Sequence, residues 1–286
     1  MRTSFLSSAF HRLLQYQSHV TASFRPFQQY AGMAAPPPSA SSHEDPDISR
    51  VLTFWFRPPG IETMSLSDQA TRWMRSNASL DIEIRDNFLP LIASARDTAL
   101  LDSWTSTPRG TLALLLLLDQ FPRNVYRGDP LAFASDKKAL AVASQAILKR
   151  QDRDKGMGFL EQQFIYLPVM HEESLVGQVA SVSLYQDWLD RQNAATSSPP
   201  EEKSEASAPL DSQVPESAAE VRGAPEPSLE ERRQYAGIAL WHANMHAETI
   251  LRFGRYPGRN RVLGRENTPE EEDFLKEFPH GLPFKM

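Results

Sequence analysis

The chain has 286 residues, 41% of them hydrophobic, a formal net charge of −6 and no cysteine. That length and apolar content supply a sizeable core for one or two domains, while the missing thiol excludes disulfides, thiolate metal ligation and a cysteine nucleophile. The acidic balance, with no basic cluster outside two arginine-bearing motifs, argues against a nucleic-acid partner, and no apolar run approaches the ~18 to 20 residues that a membrane span needs.

In chain order, residues 1–32 come first, with Arg2, Arg12 and Arg25 and no Asp or Glu. Phe5, Leu6, Ala9, Phe10 and Leu13 fall on one side of a helical wheel, and Ser8, His11 and Gln15 on the other. A basic, amphipathic, acid-free leader is the pattern of a mitochondrial transit peptide, and Met33 directly after it offers a second start that would give a cytoplasmic form. Residues 33–46 read as a Pro/Ser linker, and a single helical domain is expected over 47–286. Ile48–Phe56 reads as a short helix stopped by Pro58-Pro59, and Ile84, Phe88, Leu91, Ile92 and Ala95 mark a helix over Leu80–Ala95.

Thr107-Pro108 is a helix start, with Thr as N-cap and Pro at the first helical position. The helix it opens, Arg109–Gln120, contains five consecutive leucines, Leu114–Leu118. It is therefore apolar on all sides and central. Ala139, Leu140, Ala143 and Ile147 mark another helix, and Val176–Leu189 a further one. From about 192 to 228, Ala, Ser, Pro and Glu dominate and periodicity vanishes, the composition of a disordered insertion. Helical pattern resumes over Leu229–Phe253, and Thr268-Pro269-Glu270-Glu271 carries the capping-box signature of a last helix. No alternating run is long enough to anchor a sheet. The expected class is all-α, built from antiparallel helical hairpins; a strict repeat of about 34 residues is not visible.

Two phrases carry the polar chemistry: Leu118 through Gly128, which contains Asp119-Gln120-Phe121-Pro122-Arg123-Asn124, and Arg252 through Arg265, which contains Arg255, Arg259 and Asn260. Several guanidinium groups beside core helices need anionic or carbonyl partners. Either Arg123, Arg255, Arg259 and Arg265, with Asn124 and Asn260, form a pocket for a carboxylate or phosphate, or they tie helix C-termini and pair with Asp119 and nearby glutamates. His171-Glu172-Glu173 follows Tyr166-Leu167-Pro168, which reads as a break, so it is expected to open the helix running through Gln178. It offers an acid/base pair or, in the structural alternative, first-turn carboxylates. His242 and His246, four apart, share a helix face; a metal site is the less favoured use and proton transfer or hydrogen bonding by His246 the preferred one. Trp55, Trp73, Trp104, Trp188 and Trp241 sit among apolar neighbours and read as core anchors.

These phrases resemble the domain-of-unknown-function 924 family. The matching segments are Val51–Phe56, Asp119–Asn124 with Arg127-Gly128, Phe164–Pro168 with His171-Glu172-Glu173, and His246 through Glu271. The resemblance implies an all-α, tetratricopeptide-like helical array and gives a site address without a reaction. One position departs: where the family pattern usually has histidine, this chain has Gly258. The reading that follows is a small-molecule-binding protein, a cofactor-independent hydrolase or isomerase among the options, acting on an anionic substrate without metal. His171, Glu172 and His246 would carry the chemistry, and Asp119, Arg123, Asn124, Arg255, Arg259, Asn260 and Arg265 would bind. The alternative is a non-catalytic interaction module whose arginine-lined groove takes a peptide carboxylate.

The composition of the insertion gives a direct prediction. Deleting Ala194–Pro225 should leave the helical circular-dichroism spectrum and the thermal midpoint essentially unchanged, since the segment has little apolar surface to bury. A large drop in midpoint would contradict that reading.

Overall fold

The computed structural model describes residues 45–195 and 226–283. The expected leader, nearly all of the linker and most of the expected insertion lie outside them. Among the described residues the protein is entirely helical, with ten α-helices and no strand. No helix there is long and apolar enough to cross a membrane.

Helix α1 (Pro46–Phe56) starts where Asp45 accepts the amide of Asp47 and Pro46 takes the first turn, so the chain is already helical at the end of the expected linker. Helix α2 (Leu66–Met74), with a Ser65/Asp68 capping box, is an element that the sequence reading did not anticipate. Helix α3 spans Ala78–Asp97 and carries Pro90 inside it.

Helix α4 (Pro108–Leu115) is capped by Thr107, which accepts the Gly110 amide. A Cβ at Gly110 would collide with the Trp104 carbonyl, so only glycine allows this turn to sit so close. The helix does not end at the aromatic-proline pair. It passes through a π-helical turn, Leu116–Gln120, into α5 (Phe121–Val125), with Pro122 in the first turn of α5. The wider turn changes the register, so a residue without an N–H can follow without breaking the rod.

Helix α6 spans Asp136–Leu148, α7 Phe159–Met170, α8 Leu175–Ala194, α9 Leu229–Phe253 and α10 Pro269–Glu277. Two expectations are corrected here. Pro168 does not break a helix but lies inside α7, two residues before its end. His171 is the C-cap of α7, and Glu172 and Glu173 lie in the connection to α8, whose N-cap is Ser174. The beginning of the expected insertion is also helical, as far as Ala194.

Helix α9 packs along α8, α8 against α7, α7 against α6, while α3 lies on α5 and α1 on α4. The centre is aromatic. Trp55 meets Phe121 (5.3 Å between ring centres) and Phe164 (6.0 Å), Trp73 meets Phe164 edge-on (5.2 Å), and Phe88 meets Phe121 (5.1 Å). A second aromatic group, Phe159, Tyr166, Tyr185, Trp188 and Tyr235, joins α7, α8 and α9. Four of the tryptophans are buried as expected, but Trp241 is 44% exposed on the outer face of α9. This core sets the π turn rigidly inside the protein. Trp55→Ala should therefore cost about 3–5 kcal/mol in denaturant unfolding, and a loss below about 1 kcal/mol would contradict its central position.

Candidate functional site

The π turn delivers Asp119 to the interior with 1% of its surface exposed. A buried carboxylate needs partners on every side, and five contacts close into a ring around it. His171 Nδ1 lies 2.7 Å from Asp119 Oδ1, and the Arg123 guanidinium lies 3.0 Å from the same oxygen. Arg123, one turn on, also donates to the Asp119 carbonyl (2.7 Å) and reaches Asp136 at the start of α6 (3.1 Å). Asp136 is shared with Arg259 (3.1 Å), from the short turn Pro257–Arg259, and Arg259 donates back to the carbonyl of His171 (3.0 Å). Gln120 donates to the second oxygen of Asp119. Phe133 stacks under both arginines, 4.8 Å from Arg259 and 5.6 Å from Arg123, and Tyr256 lies 4.8 Å from Arg259 on another side.

The ring touches solvent along one edge: the side chains of Arg123, Asp136, His171 and Arg259 retain 14 to 20% of their exposure. His246 of α9 completes this edge, its ring 6.4 Å from that of His171 and 5.5 Å from that of Tyr256. Its Nδ1 donates to the carbonyl of His242 one turn back (2.8 Å). Gln178 of α8 braces the assembly: its amide nitrogen, with two hydrogens to give, lies within 2.9 Å of the carbonyls of Met170 and Glu172 and of the Tyr256 hydroxyl, which itself donates to Met170. Glu173 accepts the Tyr256 amide (2.8 Å) and a two-pronged contact from Arg265 (2.7 and 3.0 Å).

The family profile described as a bacterial protein of unknown function, DUF924, matches residues 51–278. The chain belongs to the DUF924 family. It is also similar to a solved structure, a protein of unknown function, ATU0120, from Agrobacterium tumefaciens, at 27% identity with a TM-score of 0.56. That similarity covers 80% of this chain and 97% of the other. No curated protein matches.

In this DUF924 chain the residues singled out from sequence separate into two groups. Asp119, Arg123, His171, His246 and Arg259 meet, with Arg265 alongside and Glu172 in the same connection. Asn124, Arg255 and Asn260 do not join them. Asn124 faces Asp81 (2.7 Å), which Arg127 also grips; Arg255 forks onto Glu271 (2.7 Å twice); Asn260 donates to Asn267 (2.8 Å). These three tie helix ends. At Gly258 a Cβ would stand 3.0 Å from the carbonyl of His280, so the glycine matches the close approach of the C-terminal turn. Among the described residues no three His, Asp or Glu side chains are grouped to hold a metal ion. Asp136, Phe133, Tyr256 and Gln178 are the members that sequence reading missed. Tyr256 lay within the second arginine phrase, but nothing in the spacing of the others marks them.

The electrostatics follow from the ring. Burial pushes the Asp119 carboxyl up, but the Arg123 guanidinium, His171 and Gln120 outweigh it and hold the group well below the usual carboxylate range. Burial and the two arginines lower His171 in spite of Asp119. Burial takes His246 down to about 3, against the pull of the His242 carbonyl. Both rings are therefore neutral in the fold and gain protons on unfolding, where the ordinary value is 6.5. The unfolded state then binds more protons below that value, so the stability linked to these rings is complete above pH 6.5 and falls as pH drops toward 3. The slope is up to about 1.4 kcal/mol per pH unit per ring. Asp119, and Glu271 held at about 2 by Arg255, add to the loss only below the ordinary carboxylate range. Urea unfolding at pH 7.5 and pH 5 should show this fall and His246→Asn should reduce it; equal stabilities at the two pH values would contradict the burial of neutral rings.

Proposed function

We propose that the Asp119–His171 pair is the proton-transfer centre of an enzyme that binds a small polar molecule, and that hydrolysis or isomerisation without a cofactor is the class of reaction. The observation that carries this reading is the 2.7 Å contact between His171 Nδ1 and a carboxylate with 1% exposure, at an edge that still meets solvent. A carboxylate on Nδ1 orients the imidazole, fixes its tautomer and stabilises the imidazolium that forms when Nε2 accepts a proton. The π turn that carries Asp119 supports the reading, because such turns recur at functional sites. Arg123 and Arg259 flank the centre. Two carboxylates, Asp119 and Asp136, balance their charges, so a substrate carboxylate or phosphate would share these arginines with Asp136 rather than meet them free. We also take the helices to form tetratricopeptide-like hairpins, supported by the sequential packing of α6, α7, α8 and α9.

A specific observation favours a second reading. The four arginines of the site and its margin, Arg123, Arg255, Arg259 and Arg265, each hold a carboxylate of the protein. A shallow depression of about 430 Å³ lined by Gln234, Gly237, Ile238 and Trp241 lies on α9. A scaffold that ties its corners with ion pairs and docks a partner peptide on that apolar face would look the same. A metabolite-binding and turnover screen on the purified protein, repeated with His171→Gln, separates the two. The enzyme reading expects a substrate whose turnover drops about 10²- to 10⁴-fold in the variant while the fold stays intact. Turnover that His171→Gln leaves unchanged would overturn the proton-transfer role of His171, and a screen in which no compound is turned over would leave the scaffold.

A further inference from the structure

The tautomers of the two histidines are dictated by what their Nδ1 atoms touch. Asp119 already accepts from Arg123 and Gln120, and it is held ionised, so toward His171 it can only accept. The partner of His246 Nδ1 is the backbone carbonyl of His242, which also can only accept. A neutral imidazole has one N–H. Both rings have committed theirs to the protein at Nδ1, so both Nε2 atoms present a bare lone pair. Among the described residues neither Nε2 has a hydrogen-bond partner.

We propose that the part of a ligand received between His171 and His246 carries two adjacent hydrogen-bond donors, as a vicinal diol or a primary amide does. This rests on the small-molecule reading above and names its substrate class. The ring centres lie 6.4 Å apart, so one small molecule seated against both rings would meet both acceptors. Two lone pairs repel an anionic oxygen, and the neighbouring guanidinium groups of Arg123 and Arg259 are engaged by Asp119 and Asp136. Any negative group of the ligand therefore lies at its other end. The two acceptors differ in what they do next. When a substrate O–H or N–H gives its proton to His171 Nε2, the bonding pair stays on the substrate atom and the imidazolium charge is matched by Asp119. His246 has no carboxylate on its Nδ1 and is held far below its ordinary value, so it keeps the second donor in place without taking its proton. His171 acts as the base and His246 orients.

The test is nitrogen-15 NMR of the imidazoles in the full chain near neutral pH, first alone and then titrated separately with glycerol, acetamide and inorganic phosphate. Both rings are expected to carry the proton on Nδ1. Glycerol or acetamide should shift the Nε2 resonances of both rings, and phosphate should shift neither. A proton on Nε2 of either ring, or Nε2 shifts with phosphate and not with the donor probes, would overturn the donor-pair assignment while leaving His171 able to act as a base. No response of either ring to any probe would overturn it too. If the catalytic reading fails instead, the pattern differs: the rings respond to glycerol or acetamide, yet His171→Gln leaves turnover of a screened substrate unchanged.

Discussion

The contact between the Asp119 carboxylate and His171 holds the rest of the site in place. A negative charge with 1% exposure inside a leucine-rich helix is costly unless every oxygen is occupied. Its partners come from different parts of the chain: Arg123 from α5, Gln120 from the π turn and His171 from the end of α7. Through Arg123 the ring extends to Asp136, through Asp136 to Arg259, and through Arg259 back to the His171 carbonyl. Residues 123 positions apart are thereby fixed to one another. The histidine ring is held at both its nitrogen and its backbone, which is the rigidity that the proposed proton-transfer role requires.

The same ring decides the electrical character of the site. Two guanidinium groups are matched by two carboxylates, leaving no surplus charge to draw in an anion over a distance. The free chemistry that remains is the pair of imidazole lone pairs beside Tyr256. A balanced, partly dehydrated edge of this kind suits hydrogen-bond recognition and movement of a proton. The other arginines of the second phrase have a different task. Arg265 with Glu173 and Arg255 with Glu271 hold the turn that presents Arg259 and Tyr256.

Local signals were the legible ones. Thr107-Pro108, Thr268-Pro269 and the long pattern of Leu229–Phe253 describe helices whose start chemistry is written in adjacent residues, and the structure has them. Pro122 misled because proline lacks an N–H without forbidding the first turn after a register change, and Pro168 because α7 continues past it for two residues. The π turn itself has no sequence signature, since its register shift is chosen by the packing of Asp119 and the leucines. In the site, the arginine phrases were conspicuous by composition, but whether an arginine faces a ligand or a carboxylate depends on residues far away in sequence. Asp136 is an ordinary first-turn acid by pattern and becomes the joint of two arginines only in three dimensions. Asn124, Arg255 and Asn260 had the same appearance as their neighbours and turn to local partners instead.

The most direct measurement is the unfolding free energy of Asp119→Asn against the unaltered chain at neutral pH. The side chain keeps its shape and loses its charge, leaving Arg123 and His171 without their shared counterpart. A loss of about 3 kcal/mol or more is expected for a buried pair broken on one side. A change within about 0.5 kcal/mol, the range of an unremarkable surface substitution, would contradict the claim that this carboxylate holds the centre together.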